Sequence, residues 1–274
     1  MQSVAEALTV VRKEIGGSSS ADDLAYFDLH ERRFFATASR IMELVAPGGR
    51  ILDVGSHYLH QSSVLALLGY NVVSMDVPAH STLPFVRERA ARRGIPLTVV
   101  EGDAVAEGEF LTTEVDSFDA VLFCEILEHI TFNPIPFWRR VHGLLRPSGI
   151  IYLTTPNSLK LLSVLGAMWN LVTLRRIGLS VKQIMRHATL GQHWKEYSAG
   201  EIREYFAYLS PDFKVRVRKV DYGPLQEDAR RELGPLRGAI LRLGNATGFF
   251  AAELETVISL PTKTAWTRRE PRAG

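Results

Sequence analysis

Apolar positions in this chain fall into short blocks that alternate between two spacings. Ile51, Leu52 and Val54 form a compact run closed by Gly55. Val64, Leu65, Leu67 and Leu68 follow at helical spacing, Gly69 marks a stop, and Val72 and Val73 open a second run that ends at Asp76. Residues 50–76 therefore predict strand, tight turn, helix and strand. This is a βαβ unit of the nucleotide-binding kind, with the ligand at the carboxyl ends of parallel strands. Gly55 lets the backbone approach a ligand closely. Asp76, at the end of the second strand, can accept hydrogen bonds from ribose hydroxyls.

The same alternation continues on either side. Residues 1–15 predict a short amphipathic helix, and GGSSSADD (16–23) breaks it. Residues 24–46 predict a longer helix with Phe27, Phe34, Phe35, Ile41 and Leu44 as apolar positions, stopped by Pro47-Gly48-Gly49. His30 and Arg33 could face a bound ligand from this helix, but read first as its solvated face. A loop over Pro78–Pro84 leads to a helix over Phe85–Arg93, and Leu97–Val100 is the third strand. Phe118–Phe123 is a near-continuous apolar run, which suits a parallel strand buried on both faces. A helix over Phe137–Leu145 and a turn at Arg146–Gly149 lead to a fifth strand, Ile150–Thr154.

Residues 158–190 interrupt this rhythm. Leu161, Val164, Leu165, Met168, Leu171 and Val172 lie at helical spacing. That length suits a buried or interfacial helix better than a membrane span. We expect 158–197 to act as a lid, with a subunit-interface role next and contact with a membrane surface last. Ser198 and Glu201 have capping-box spacing at the start of a helix that runs to about Leu209. Phe213–Val220 is the sixth strand, 227–243 reads as helical, and Leu254–Thr267 holds a seventh strand. The order predicts an α/β protein. It is one domain over 1–274 with N-terminal helices in 1–46, built on a doubly wound, mostly parallel seven-stranded sheet.

Composition narrows this only a little. With 274 residues, 46% of them hydrophobic, the chain can bury one substantial core. A net charge of +2 implies no nucleic-acid partner by itself, and none is expected. A single cysteine, Cys124, excludes an intramolecular disulfide and fits a reducing, cytoplasmic setting. No signal peptide is evident, and no stretch has the length of a membrane span.

The densest chemistry is Cys124-Glu125-Ile126-Leu127-Glu128-His129, directly after the fourth strand. Glu125, Glu128 and His129 stand at i, i+3 and i+4. On a helix beginning there, all three would project on one side. Two carboxylates and an imidazole suit a divalent metal or acid/base work. His193 is the best candidate for a fourth ligand, ahead of His187 and His142. The structural alternative is a Glu that complements a helix dipole beside a solvated His.

Several motifs together carry a resemblance. Gly55 is followed by Ser56, His57, Tyr58, Leu59 and His60, so no phosphate-binding fingerprint is present. A strand ending in Asp53-x-Gly55, with an Asp about 20 residues on, resembles the class I methyltransferases that use S-adenosylmethionine. Their usual turn is D-x-G-x-G-x-G, and His57 and Leu59 stand at the second and third glycine positions. The Gly102-Asp103-Ala104 step resembles that family's adenine contact, and LLRPSGIIYLTTPN (144–157) resembles its fifth strand. EILEH, TTPN and H-x-x-E-Y-S are similar to two groups. One comprises O-methyltransferases of ubiquinone synthesis and of sugar or natural-product tailoring. The other comprises RNA 3′-terminal 2′-O-methyltransferases that hold a metal with Glu-x-x-Glu-His and a later His.

The resemblance covers roughly residues 45–205. It implies cofactor contacts at Asp53, Gly55, Ser56, Asp76, Asp103, Ala104 and Glu125. It implies Mg2+ or another divalent cation on Glu125, Glu128, His129 and His193, with His129 or Glu128 as base, and an antiparallel last strand. The expected activity is O-methylation of a hydroxyl on a sugar or related small molecule, by a chain that can form a homo-oligomer. The first rival is the RNA enzyme, with a groove lined by Arg139, Arg140, Arg175, Arg176 and Arg186. The second is a non-catalytic cofactor-binding partner subunit. All of this requires Asp53, Asp76, Asp103 and Glu125 around one crevice, with room for a nucleoside beside His57 and Tyr58.

Overall fold

The computed structural model describes residues 2–17, 20–173, 193–222, 248 and 251–268. Helices α1 (Val4–Ile15) and α2 (Ala21–Leu44) lead into β1 (Arg50–Val54), α3 (His60–Leu67) and β2 (Asn71–Asp76). After α4 (Pro78–Ser81) and α5 (Pro84–Arg93) come β3 (Leu97–Val99), α6 (Gly102–Glu107) and β4 (Phe118–Cys124). A single 3-10 turn (Leu127–His129), α7 (Ile135–Leu144), β5 (Leu145–Pro156) and α8 (Leu161–Val172) follow. The described part closes with α9 (Ala199–Leu209), β6 (Lys214–Val220) and β7 (Glu253–Ser259).

The strands form one seven-stranded sheet in the order β3-β2-β1-β4-β5-β7-β6. β1 to β5 are parallel, and β7 runs antiparallel to both β5 and β6. The expected doubly wound, mostly parallel sheet is therefore present, with its antiparallel last strand. Side chains alternate across it. Leu52, Val54, Val121, Phe123, Ile151 and Leu153 join the core under α7 and α9. Ile51, Ala120, Leu122 and Tyr152 join the core under α1, α2 and α3. Asp53 and Cys124 share the parity of this second set, so they face α2.

The Pro78–Pro84 stretch contains a short helix, because Pro78 sits in its first turn, where a missing N–H costs nothing. The Gly-Asp-Ala step opens α6. Phe35 is exposed, unlike Phe27 and Phe34. The largest departure is EILEH, which does not start an α-helix. The Glu125 N–H extends the ladder to the Thr154 carbonyl (2.8 Å), and Glu125 then takes a left-handed φ of 56° before the 3-10 turn. Glu125, Glu128 and His129 therefore do not share one helix face.

The capping box at Ser198 and Glu201 is formed. On α8, Leu165, Met168, Trp169, Leu171 and Val172 are exposed rather than buried. Arg175, Arg176, Arg186, His187 and the predicted helix over 227–243 lie outside the described residues. Among the described residues no helix is long and apolar enough to cross a membrane.

Candidate active site

The turn after β1 keeps the backbone of a glycine-rich loop without most of the glycines. Gly55 has φ 70°, and His57 and Leu59 also take left-handed values of 48° and 61°. For a residue with a side chain this costs roughly 1–2 kcal/mol each. A Cβ on Gly55 would lie 2.3 Å from Ile126 Cδ1, so the glycine lets the 125–129 segment pack on the turn. The Gly55 and Ser56 N–H groups donate to the Met75 carbonyl (2.9 and 3.3 Å). The His57 N–H donates to Asp76 Oδ2 (2.5 Å). The other Asp76 oxygen accepts from the Val77 N–H (2.7 Å) and lies 3.2 Å from His80 Nδ1.

Asp53 is buried and accepts from the Ser62 hydroxyl (2.5 Å), which also meets Ser74 (2.8 Å). Burial pushes its carboxyl up to about 7; the Asp76 charge adds to the rise and the Ser62 hydrogen bond opposes it. A polar cavity opens between this strand end and α2, lined in part by Tyr26, Arg33, Thr37, Ser56 and Gln61. Arg33 was expected on a solvated face but is buried. It lies 3.8 Å from Glu125 and donates to the Tyr26 hydroxyl (3.4 Å). His30 is half-buried, and burial holds its imidazole neutral, down to about 4.

Thr37 Oγ1, Ser56 Oγ, Gln61 Nε2 and Glu125 Oε1 are buried without a hydrogen-bond partner. Orphaned polar atoms cost free energy until something pairs with them. A guanidinium with hydroxyls for a carboxylate, and carboxylates for an ammonium, suit the amino-acid end of S-adenosylmethionine. The space beside Asp76, where a ribose is expected, is filled. The His57 ring stacks on Tyr26 (4.1 Å, 19°) and packs against Tyr58 (3.9 Å) and His80 (4.2 Å). The cavity measures about 40 Å3, room for about three waters and not for a purine nucleoside.

A second cluster lies at the same carboxyl edge, toward α7. Glu128, His129 and His193 each offer a ligand atom within 4.8 Å of the others. Glu128 is fully buried, accepts from the Thr155 hydroxyl (2.9 Å) and lies 3.9 Å from His129 Nε2. Burial raises its carboxyl to about 7, and the charge of Glu125 adds to that. The His193 loop is pinned by the Trp194 N–H donating to the Glu128 carbonyl (2.8 Å). A contact with Glu196 (3.4 Å) raises the His193 imidazole, burial opposes this, and the Glu128 charge adds to the rise. Glu125 stands outside this trio and pairs with Arg33, between the cluster and the cavity.

Other expected positions are placed differently. Asp103 is exposed in the first turn of α6, with Ala104 half-buried behind it, and neither lines the cavity. His142 is buried against Asp212 (2.9 Å) and is not part of the cluster. Arg140 is clamped to the Phe110 and Glu114 carbonyls (both 2.8 Å) instead of facing a groove.

Sequence reasoning missed Tyr26, Thr37, Gln61, Glu196 and Glu253. Glu253 opens β7 beside Pro156, and burial and the charge of Glu125 raise it to about 8. A visible signal was available for α2. Tyr26, Arg33 and Thr37 repeat at seven and four residues on the stripe that also carries Phe27 and Phe34.

Comparisons with known proteins bear on the fold. Residues 52–153 match the family described as a methyltransferase domain. The ubiquinone biosynthesis O-methyltransferase of Ruegeria pomeroyi is 34% identical over 110 residues, 40% of this chain and 42% of that protein. The chain thus spans about two-fifths of the length of the curated relatives it matches. A S-adenosylmethionine-dependent methyltransferase of Archaeoglobus fulgidus superposes with TM-score 0.51 at 13% identity, over 86% of this chain and 98% of that one. The 1,6-didemethyltoxoflavin-N1-methyltransferase of Burkholderia thailandensis gives 0.54 at 15%, over 96% and 92%. At such identities the likeness is one of fold. The chain is built on the class I S-adenosylmethionine-dependent methyltransferase fold.

Proposed function

We propose that this protein is an S-adenosylmethionine-dependent O-methyltransferase acting on a hydroxyl of a small molecule with two adjacent oxygens, a saccharide among the candidates. The observation that carries this reading is the convergence of Glu128, His129 and His193 within 4.8 Å, at the strand edge that also bears the Arg33 pocket. Relatives named as ubiquinone biosynthesis O-methyltransferases support oxygen as the methylated atom.

S-Adenosylmethionine supplies an already activated methyl group when bound, so the protein's task is mainly alignment. Arg33, Thr37 and Ser56 hold the cofactor's carboxylate, and Asp53 and Glu125 face its ammonium. His129, turned toward Glu128, takes the proton from the attacking hydroxyl. Glu128 Oε1 is buried without a donor, so the trio also fits a divalent cation, which would lower the acceptor's pKa and orient it. Glu196 steadies His193 in either case.

The test is turnover against a panel of vicinal and isolated hydroxyl compounds, with calorimetry for S-adenosylhomocysteine. Glu128→Gln and His129→Ala should each lower turnover by about 10²–10⁴-fold while leaving that binding unchanged. Full activity in both variants would refute the assignment of the site. A matching loss in chelator, restored by Mg2+, separates metal assistance from plain base catalysis.

A further inference from the structure

The turn after β1 carries a side chain where the fold's cofactor needs space, and the arrangement is specific. His57 has the backbone of a glycine, with φ 48°, yet keeps an imidazole. Its N–H occupies Asp76 Oδ2 (2.5 Å), the carboxylate that a ribose would approach. The ring is nearly parallel to Tyr26 at 4.1 Å and is held from the other sides by Tyr58 and His80. Tyr58 is itself braced on Phe85 (5.3 Å). The turn therefore keeps the left-handed backbone of a glycine position, and one ring, stacked on an aromatic partner, occupies the space over it.

We propose that His57 is a gate on the nucleoside subsite. An adenosine-bearing ligand binds only by displacing the His57 imidazole from Tyr26. This inference rests on the cofactor reading above and adds to it a residue that sets cofactor affinity. The amino-acid half of the pocket needs no such displacement, because Arg33, Thr37 and Ser56 already line the small cavity and the two hydroxyls have no partner. The gate consequently works against the nucleoside half alone. Each binding event exchanges the stacked pair for ligand contacts, and affinity is lowered by the worth of that pair. The same exchange discriminates among ligands. Those with too little surface to replace the stack are left outside.

Calorimetric titration of the full chain with S-adenosylhomocysteine tests this, using the unaltered protein, His57→Gly and His57→Ala. Alanine removes the ring but keeps a Cβ at a left-handed φ, so the two variants separate ring from backbone. Both should tighten binding by about tenfold, and the free protein should melt lower in His57→Ala, which loses the stack, than in His57→Gly, where relief of the left-handed backbone offsets that loss. In the free protein the His57 ring protons should resonate upfield through the Tyr26 ring current and move downfield on adding S-adenosylhomocysteine. Tightening in glycine alone, unchanged affinity in both variants, or unshifted His57 protons in the free protein would each overturn the gate and leave the cofactor reading standing. Absence of binding in all three proteins would overturn both.

Discussion

Replacing Asp53 by Asn gives a quantitative test of how this fold handles its buried charge. The carboxyl is pushed from the ordinary 3.8 to about 7, first by burial and then by the nearby Asp76 charge. The folded state therefore holds this proton more tightly than the unfolded chain does. The resulting stability is fully present below about pH 4 and is lost as pH rises through 7. A rise of that size corresponds to roughly 4 kcal/mol by pH 8. Asparagine keeps the shape, and its amide oxygen can still accept from Ser62, but it carries no charge to bury. The stability gap between Asp53→Asn and the unaltered protein should widen by roughly 3 kcal/mol between pH 5 and pH 8, in favour of the variant. Other raised groups, Glu128 and Glu253 among them, are present in both proteins and cancel in the difference. Urea denaturation at pH 5, 6, 7 and 8 reads this as a growing difference in midpoint at constant slope. A pH-independent gap, or a less stable variant at pH 8, would refute the claim that Asp53 is a strained anion. The same variant should lose affinity for S-adenosylhomocysteine if Asp53 faces the ligand's ammonium.

Three further outcomes follow from the same geometry. Arg33→Leu should weaken S-adenosylhomocysteine binding by about 10–100-fold, since a charge-assisted hydrogen bond to a carboxylate is worth about 1.5–3 kcal/mol; equal affinity in a calorimetric titration would remove Arg33 from the pocket. Gly55→Ala should cost about 1–2 kcal/mol for its φ of 70°, and more from the Ile126 contact. In an Ile126→Ala background only the first part should remain, as measured by a denaturation double-mutant cycle. Asp23→Ala should destabilise by about 3–5 kcal/mol, because Asp23 is fully buried and holds both Arg89 (2.6 Å) and His60 (2.7 Å). A thermal midpoint within a degree of the unaltered protein would contradict this.

Much of the architecture was legible before any coordinates. Strand ends, helix stops and the Ser198 cap are local signals, decided within a few residues by periodicity, glycine and proline. The 50–76 unit and the antiparallel last strand emerged as expected. The site was legible as residue types but not as geometry. EILEH has helical spacing, yet the Glu125 N–H is captured by β5, and a hydrogen bond to a strand about thirty residues away cannot be read from spacing. Arg33 looks like any charged residue on a long helix until α2 lies across the carboxyl edge of β1 and β4.

The chain's own pattern determined the order of elements, the class of sheet and the crevice at its carboxyl edge, because burial of alternating apolar runs leaves few other solutions. Only the folded molecule decided which carboxylates meet. It parted Glu125 from Glu128 and His129, brought His193 in, and set Asp103 outside. It also placed the ring of His57 on Tyr26. Such pairings join residues distant in sequence, and their energies depend on desolvation and on one another, so they exist only once both sheet faces are covered.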